Sequence, residues 1–212
     1  MEGGGSASNA VYLSDIGDYK NIDDLYTIFN SSLFTIFLSI LATRIGNVGG
    51  LSLNTYFDVF GLEGILSNTM LVTILFQIAR YFYTVVYANY DKGWSPFVFI
   101  CIVLVVHLLH DLLFYYGIIN MLPSGKNDMI DALKLYAKEN KLNAIGSHSL
   151  FMVVTALVAM ITNDMDVIYK FIMFGVVFYL IPYTLSIVYK KPPPPPPPEK
   201  KKDSMRDARG FY

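Results

Sequence analysis

Four stretches of the chain are apolar over about the 20 residues that a helix needs to cross a hydrocarbon core of about 30 Å, and this limits the fold more than any other feature. They are residues 64–88 (GILSNTMLVTILFQIARYFYTVVYA), 94–119 (WSPFVFICIVLVVHLLHDLLFYYGII), 144–162 (which holds SLFMVVTALVAMIT) and 167–189 (VIYKFIMFGVVFYLIPYTLSIVY). A fifth, residues 25–43 (LYTIFNSSLFTIFLSILAT), is weakened by Asn30, Ser31 and Ser32, so it either spans or lies at the interface. Pro182 is expected to kink the last segment, which membrane helices tolerate. Tyr90, Trp94, Tyr115, Tyr116 and Tyr189 fall near segment ends, where aromatic belts belong. Composition agrees: 54% of residues are hydrophobic and only 16% charged, against about 25% charged in soluble domains. The fold expected is an all-α integral membrane protein, a bundle of four to five transmembrane helices, with a polar segment at 1–24, the bundle at 25–189 and a proline-rich basic tail at 190–212.

Cys101 cannot form an internal disulfide as the one cysteine and is expected to be a small buried hydrophobe. The start, MEGGGSASNAVYLSDIGDYK, lacks the basic and apolar regions of a secretory signal, so the internal segments are expected to direct insertion. Asn30-Ser31-Ser32 is formally a glycosylation sequon, set too close to the bilayer for use.

Charge sets the orientation. With five spans, Arg44, Lys126, Lys134, Lys138, Lys141, Lys190, Lys191, Lys200, Lys201, Lys202, Arg206 and Arg209 share one side. Only Lys20, Lys92 and Lys170, beside six aspartates, take the other. The basic loop and tail are therefore expected on the cytosolic side, with the N-terminus opposite.

The loop after the third segment, NMLPSGKNDMIDALKLYAKENKLNAIGSHS, opens on a Pro-Ser-Gly turn. Asn127 or Asp128 can cap a helix over about 127–140 with Asp128 and Asp131 in its first turn. Met129, Ile130, Leu133, Leu135 and Tyr136 supply an apolar stripe. The helix lies on the membrane or a partner, with Lys126, Lys134, Lys138 and Lys141 as contacts, or it caps the protein's own span ends. Ser124-Gly125-Lys126 is not a phosphate loop, because Asn127 follows the lysine and no upstream glycine sits at the needed spacing.

Around this loop, LHDLLFYYGIINMLPSGKNDMIDALKLYAKENKLNAIGSHSLFM resembles a block in small multispanning membrane proteins of the nucleocytoplasmic large DNA viruses, the algal giant viruses among them. Its landmarks are Gly-Lys-Asn-Asp at 125–128, Met129-Ile130-Asp131 and Tyr136-Ala137. The resemblance implies a structural virion membrane component, associated with the minor capsid layer and carrying no catalytic residues. Its place would be the virion's internal membrane, reached through host endomembranes during assembly.

Charge inside a span is a functional hypothesis by default. Arg80 lies on the second segment, and His107, His110 and Asp111 share one face of the third at i, i+3 and i+4. At 1.5 Å per residue Arg80 sits about 10 Å and Asp111 about 22 Å from the same boundary. Direct pairing is thus disfavoured; His107 is nearer in depth, or Arg80 snorkels among Tyr81, Tyr83 and Tyr87. A metal centre lacks ligands on this count, since the remaining histidine, His148, falls at a span end, so no metal, cofactor or enzyme activity is expected. The histidine–aspartate face reads as polar glue between helices; the alternative is a small channel or transporter built on Arg80, His107, His110 and Asp111.

Residues 192–198 are seven consecutive prolines, a stiff polyproline II rod of roughly 22 Å. EKKKDSMRDARGFY follows. A stiff rod lowers the ordering cost of docking, so Pro192, Pro195, Pro198, Lys200, Arg206, Phe211 and Tyr212 are expected to bind a partner. Pro195 to Lys200 also fits P-x-x-P-x-K, and a solvated tail on anionic lipid is the plainer possibility. The expected partners are membrane lipids and capsid or other virion proteins, not nucleic acid, with oligomerisation possible.

Overall fold

The computed structural model describes residues 13–90 and 93–188. The described chain is helical and contains no strand: α1 (Asp23–Gly46), α2 (Gly50–Phe82), α3 (Pro96–Phe114), α4 (Asp128–Asn140), α5 (Leu142–Thr162) and α6 (Val167–Leu185). A π-helical turn, Tyr83–Tyr87, and a 3₁₀ turn, Ala88–Tyr90, prolong α2, and a second π turn, Tyr115–Ile119, prolongs α3. With these extensions, five helices are long and apolar enough to cross a membrane: α1, Gly50–Tyr90, Pro96–Ile119, α5 and α6. The polyproline rod and its docking residues lie outside the described residues.

α1 is the central element, packed against α2, α5 and α6. The three residues that weaken it as a lipid-facing segment are all buried. Asn30 Nδ2 donates to the Lys170 carbonyl (2.7 Å), Ser31 Oγ lies 3.4 Å from Thr162 Oγ1, and Ser32 Oγ donates to the Ile28 carbonyl (2.8 Å). Their polarity is turned inward as helix-to-helix glue. The Asn30 sequon is correspondingly inaccessible.

Two apolar clusters fill the interior. One joins Ile16, Ile28, Phe76, Tyr83, Phe99, Met152, Ala156 and Met160; the other joins Leu33, Ile36, Ile40, Tyr56, Phe57, Ile65, Val177 and Ile181. Outward faces are equally apolar: Leu109, Leu112 and Leu113 on α3 and Phe171, Ile172, Val176 and Tyr179 on α6 are all exposed. Cys101 is also exposed, contrary to the buried position expected. On α3 the apolar face is not a guide to the interior, because both inward and outward positions are hydrophobic.

α2 begins far earlier than the apolar run at 64–88 suggests. Its first turns, with Tyr56 and Phe57 buried in the second cluster, lead into a bend where Gly61 has φ 46° and ψ −124°. Gly61, Asp58 and Glu63 interrupt the hydrophobic pattern there. α6 continues through Pro182 and ends three residues later at Leu185. Tyr90, Tyr115 and Tyr116 are exposed, whereas Trp94 turns inward, its Nε1 donating to the Leu13 carbonyl (2.9 Å).

Asn127 caps α4, its Oδ1 accepting from the Ile130 N–H (3.0 Å). The helix buries Ile130 and Tyr136, and it rests on the start of α2 and on α5. Lys126, Lys138 and Lys141 are exposed, while Lys134 Nζ donates to the Leu122 carbonyl and lies 3.9 Å from Asp131.

Candidate functional site

Polar chemistry concentrates in three places, one at each end of the bundle and one between α3 and α5. At the first end, residues 13–22 fold across the helix termini and Ile16 has no exposed surface. Arg80 comes up to meet them from α2 and is itself wholly buried. Its Nη1 donates to Gln77 Oε1 (2.6 Å); its Nη2 donates to Asp24 Oδ2 (2.9 Å), to the Asn21 carbonyl (2.8 Å) and to the Asp18 carbonyl. Asp24, also buried, takes further donations from the side-chain amides of Asn21 (3.0 Å) and Asn163 (3.1 Å). Ser14 Oγ donates to Asp164 (2.5 Å), and Lys170 Nζ donates to the Asn163 carbonyl (2.5 Å). The guanidinium thus neither snorkels among the tyrosines nor reaches His107. A buried ion pair is tolerable where extra hydrogen bonds support it; here they serve Asp24 and both terminal nitrogens of Arg80, while its buried Nε has no partner.

At the opposite end Arg44, buried in the last turn of α1, donates to Asn54 Oδ1 (3.1 Å), to Asp58 Oδ1 (2.6 Å) and to the Leu185 carbonyl at the end of α6 (3.3 Å). The cation meets an orphan carbonyl at a helix C-terminus, where the partial charge is negative. Beside it, Glu139 of α4 accepts from the N–H groups of Leu51 (3.2 Å) and Ser52 (2.8 Å) in the first turn of α2. A carboxylate there meets the positive end of the helix. The Ser52 side chain, and then these N–H groups, hold the Glu139 carboxyl below the usual glutamate range.

The third place brings the histidine–aspartate face of α3 to α5. His107 Nε2 lies 3.5 Å from Asp111 Oδ2, and His110 Nδ1 lies 3.2 Å from Asp111 Oδ1. Sequence reasoning set His148 apart at a span end, yet its Nδ1 lies 3.7 Å from the same Asp111 Oδ2. α5 begins at Leu142, which puts His148 nearly two turns into the helix. The i, i+4 spacing made His107 and Asp111 legible as a pair; nothing in the local sequence ties His148 to them. Arg80 is not part of this group. Among the described residues Asp111 has histidines alone as ion-pair partners.

The described hollows on the surface are apolar grooves: one between α1 and α2 at Leu25, Met70, Ile74, Gln77 and Tyr81, the other between α2 and α3 at Ile78, Phe82, Leu109 and Leu113. No family model, curated protein or solved structure matches the chain. What the fold itself defines, among the described residues, is an all-helical arrangement with five helices long and apolar enough to cross a membrane.

Proposed function

We propose that the chain is a multi-pass membrane protein with a structural, non-enzymatic role: it anchors the internal membrane of a large DNA virus to the capsid shell above it. The basic loop at 120–141 and the tail at 190–212 would face the shell. The observation that carries this reading is the use made of the two arginines. Arg80 and Arg44 each tie helix ends of the same chain together, so these two charges serve rigidity rather than a pathway. The same end of the bundle gathers Arg44, α4 with its lysines, and the C-terminal end of α6. That clustering suits an outward contact with a protein layer. The reading of residues 108–152 as a virion membrane block is part of the same proposal.

The test compares full-length protein with a chain lacking residues 199–212. Both are expected to insert into membranes, and the shortened one to be lost from purified particles. Equal incorporation would overturn the anchor. In liposomes the full-length protein is expected to produce no ion or proton flux; a flux abolished by Asp111→Ala would establish the transporter alternative instead.

A further inference from the structure

We propose that His107, Asp111 and His148 form a binding site for a single divalent transition-metal ion of the zinc class, clipping α3 to α5. Their donor atoms, one from each residue, all lie within 4.8 Å of one another. A tetrahedral zinc ion with ligand bonds of about 2.0–2.1 Å holds its ligand atoms about 3.4 Å apart. The carboxylate-to-imidazole distances here, 3.5 and 3.7 Å, are within a few tenths of an ångström of that edge.

A second, independent observation points to a ligand. His107 is 4% exposed, and its Nε2, turned toward Asp111, has no hydrogen-bond partner. A buried polar atom left unsatisfied is costly; a buried imidazole nitrogen that faces a carboxylate oxygen at 3.5 Å without bonding to it is placed as a metal ligand would be. The surroundings fit a ligand set too. His110 engages the other carboxylate oxygen of Asp111. Tyr136 of α4 stacks on His148, with ring centroids 5.8 Å apart at 18°. Such supporting contacts orient metal ligands. Asp111 differs here from Asp24 and Asp58, each of which has an arginine. Two neutral imidazoles and one carboxylate select zinc or a neighbouring transition ion over magnesium or calcium, which prefer oxygen ligands. Three protein ligands leave one position for water or an incoming group. This inference stands apart from the anchoring role.

The experiment uses tag-free, full-length protein in detergent, stripped with a chelator and titrated with Co²⁺ and then Zn²⁺. One equivalent of Co²⁺ per chain is expected to give a visible d–d band that Zn²⁺ displaces and Mg²⁺ does not. His148→Ala removes a half-exposed side chain, so the fold should survive; affinity is expected to fall at least about 100-fold, and Asp111→Asn to do the same. His110→Phe, altering only a supporting contact, should weaken binding about 10- to 100-fold. Zn²⁺ should raise the melting temperature of the wild type and not of His148→Ala. A wild-type chain that takes up no more metal than His148→Ala overturns the site and leaves the cluster as polar glue; so does binding that both variants retain.

Discussion

At the scale of single residues, Arg80 and Asp24 make a buried pair whose removal should be felt in proportion to what is left behind. Arg80→Leu strands the Asp24 carboxylate among groups that no longer neutralise it, and breaking a buried pair on one side costs about 3–5 kcal/mol. The double variant Asp24→Leu/Arg80→Leu should lose less than the two single variants summed, by about 0.5–3 kcal/mol. Unfolding of the detergent-solubilised protein by denaturant measures both; strict additivity would mean that the pair is not an energetic unit. Sequence pattern located Arg80 as a constrained charge but not its partner. Depth counted along a straight helix assumes that nothing descends from the boundary, whereas residues 13–22 drop across the bundle end and bring the Asp18 and Asn21 carbonyls and Asp24 to the guanidinium. His148 was missed for a related reason. Its depth depends on where α5 starts, and in NKLNAIGSHS no apolar periodicity marks that point.

At the scale of elements, the apolar runs were legible because each is a helix by length alone, and the polar patch in α1 was legible as unusual without showing which neighbours it would meet. The first turns of α2 were not legible. Asn54, Asp58 and Gly61 interrupt the hydrophobic signal, and two of them serve the Arg44 clamp while the third makes the bend. Gly61→Ala should therefore destabilise the protein by about 1–3 kcal/mol through backbone strain alone. A Cβ at that position meets nothing within 4 Å, so steric crowding does not contribute; an unchanged melting temperature would show that the bend relaxes freely. The start of α2 also depends on α4. Gly50 has φ +70°, and a Cβ there would collide with Glu139 Oε1, so the glycine admits the carboxylate to the helix end. Because the folded-state pKa of Glu139 is lowered, its contribution is present above the ordinary glutamate pKa of about 4.3 and is lost as pH falls through the lower folded value. Hydrogen exchange at Leu51 and Ser52 should be protected at pH 7, faster in Glu139→Gln at that pH by about 2- to 5-fold, as expected for about 0.3–1 kcal/mol at a helix end, and alike in both proteins once pH is well below 4. Equal exchange at pH 7 would remove Glu139 as a cap.

At the scale of the whole molecule, hydrogen bonds sort the helix ends into two groups. The Leu13 segment, Trp94, Asn163 and the start of α1 meet around Arg80, whereas the ends of α1 and α6, the start of α2 and α4 meet around Arg44 and Glu139. If the five long helices cross a bilayer, the two groups lie on opposite faces, and the charge rule puts the Arg44 group, with the lysines of 126–141, on the cytosolic side. The single native cysteine makes this directly measurable. In a Cys101→Ser background, cysteines placed one at a time at Lys126, Met165 and Ser204 can be labelled with a membrane-impermeant maleimide in sealed, oriented vesicles. Lys126 and Met165 are both exposed, so accessibility is decided by the membrane rather than by burial. Lys126→Cys and Ser204→Cys should label from the same side and Met165→Cys from the other. Labelling of Lys126→Cys and Met165→Cys from one side would mean that α5 does not span, and Ser204→Cys on the side opposite Lys126→Cys would separate loop from tail. The second result would undo the proposed anchor, because only a loop and tail on a common face can engage one overlying layer of protein; the first would remove the five-span arrangement.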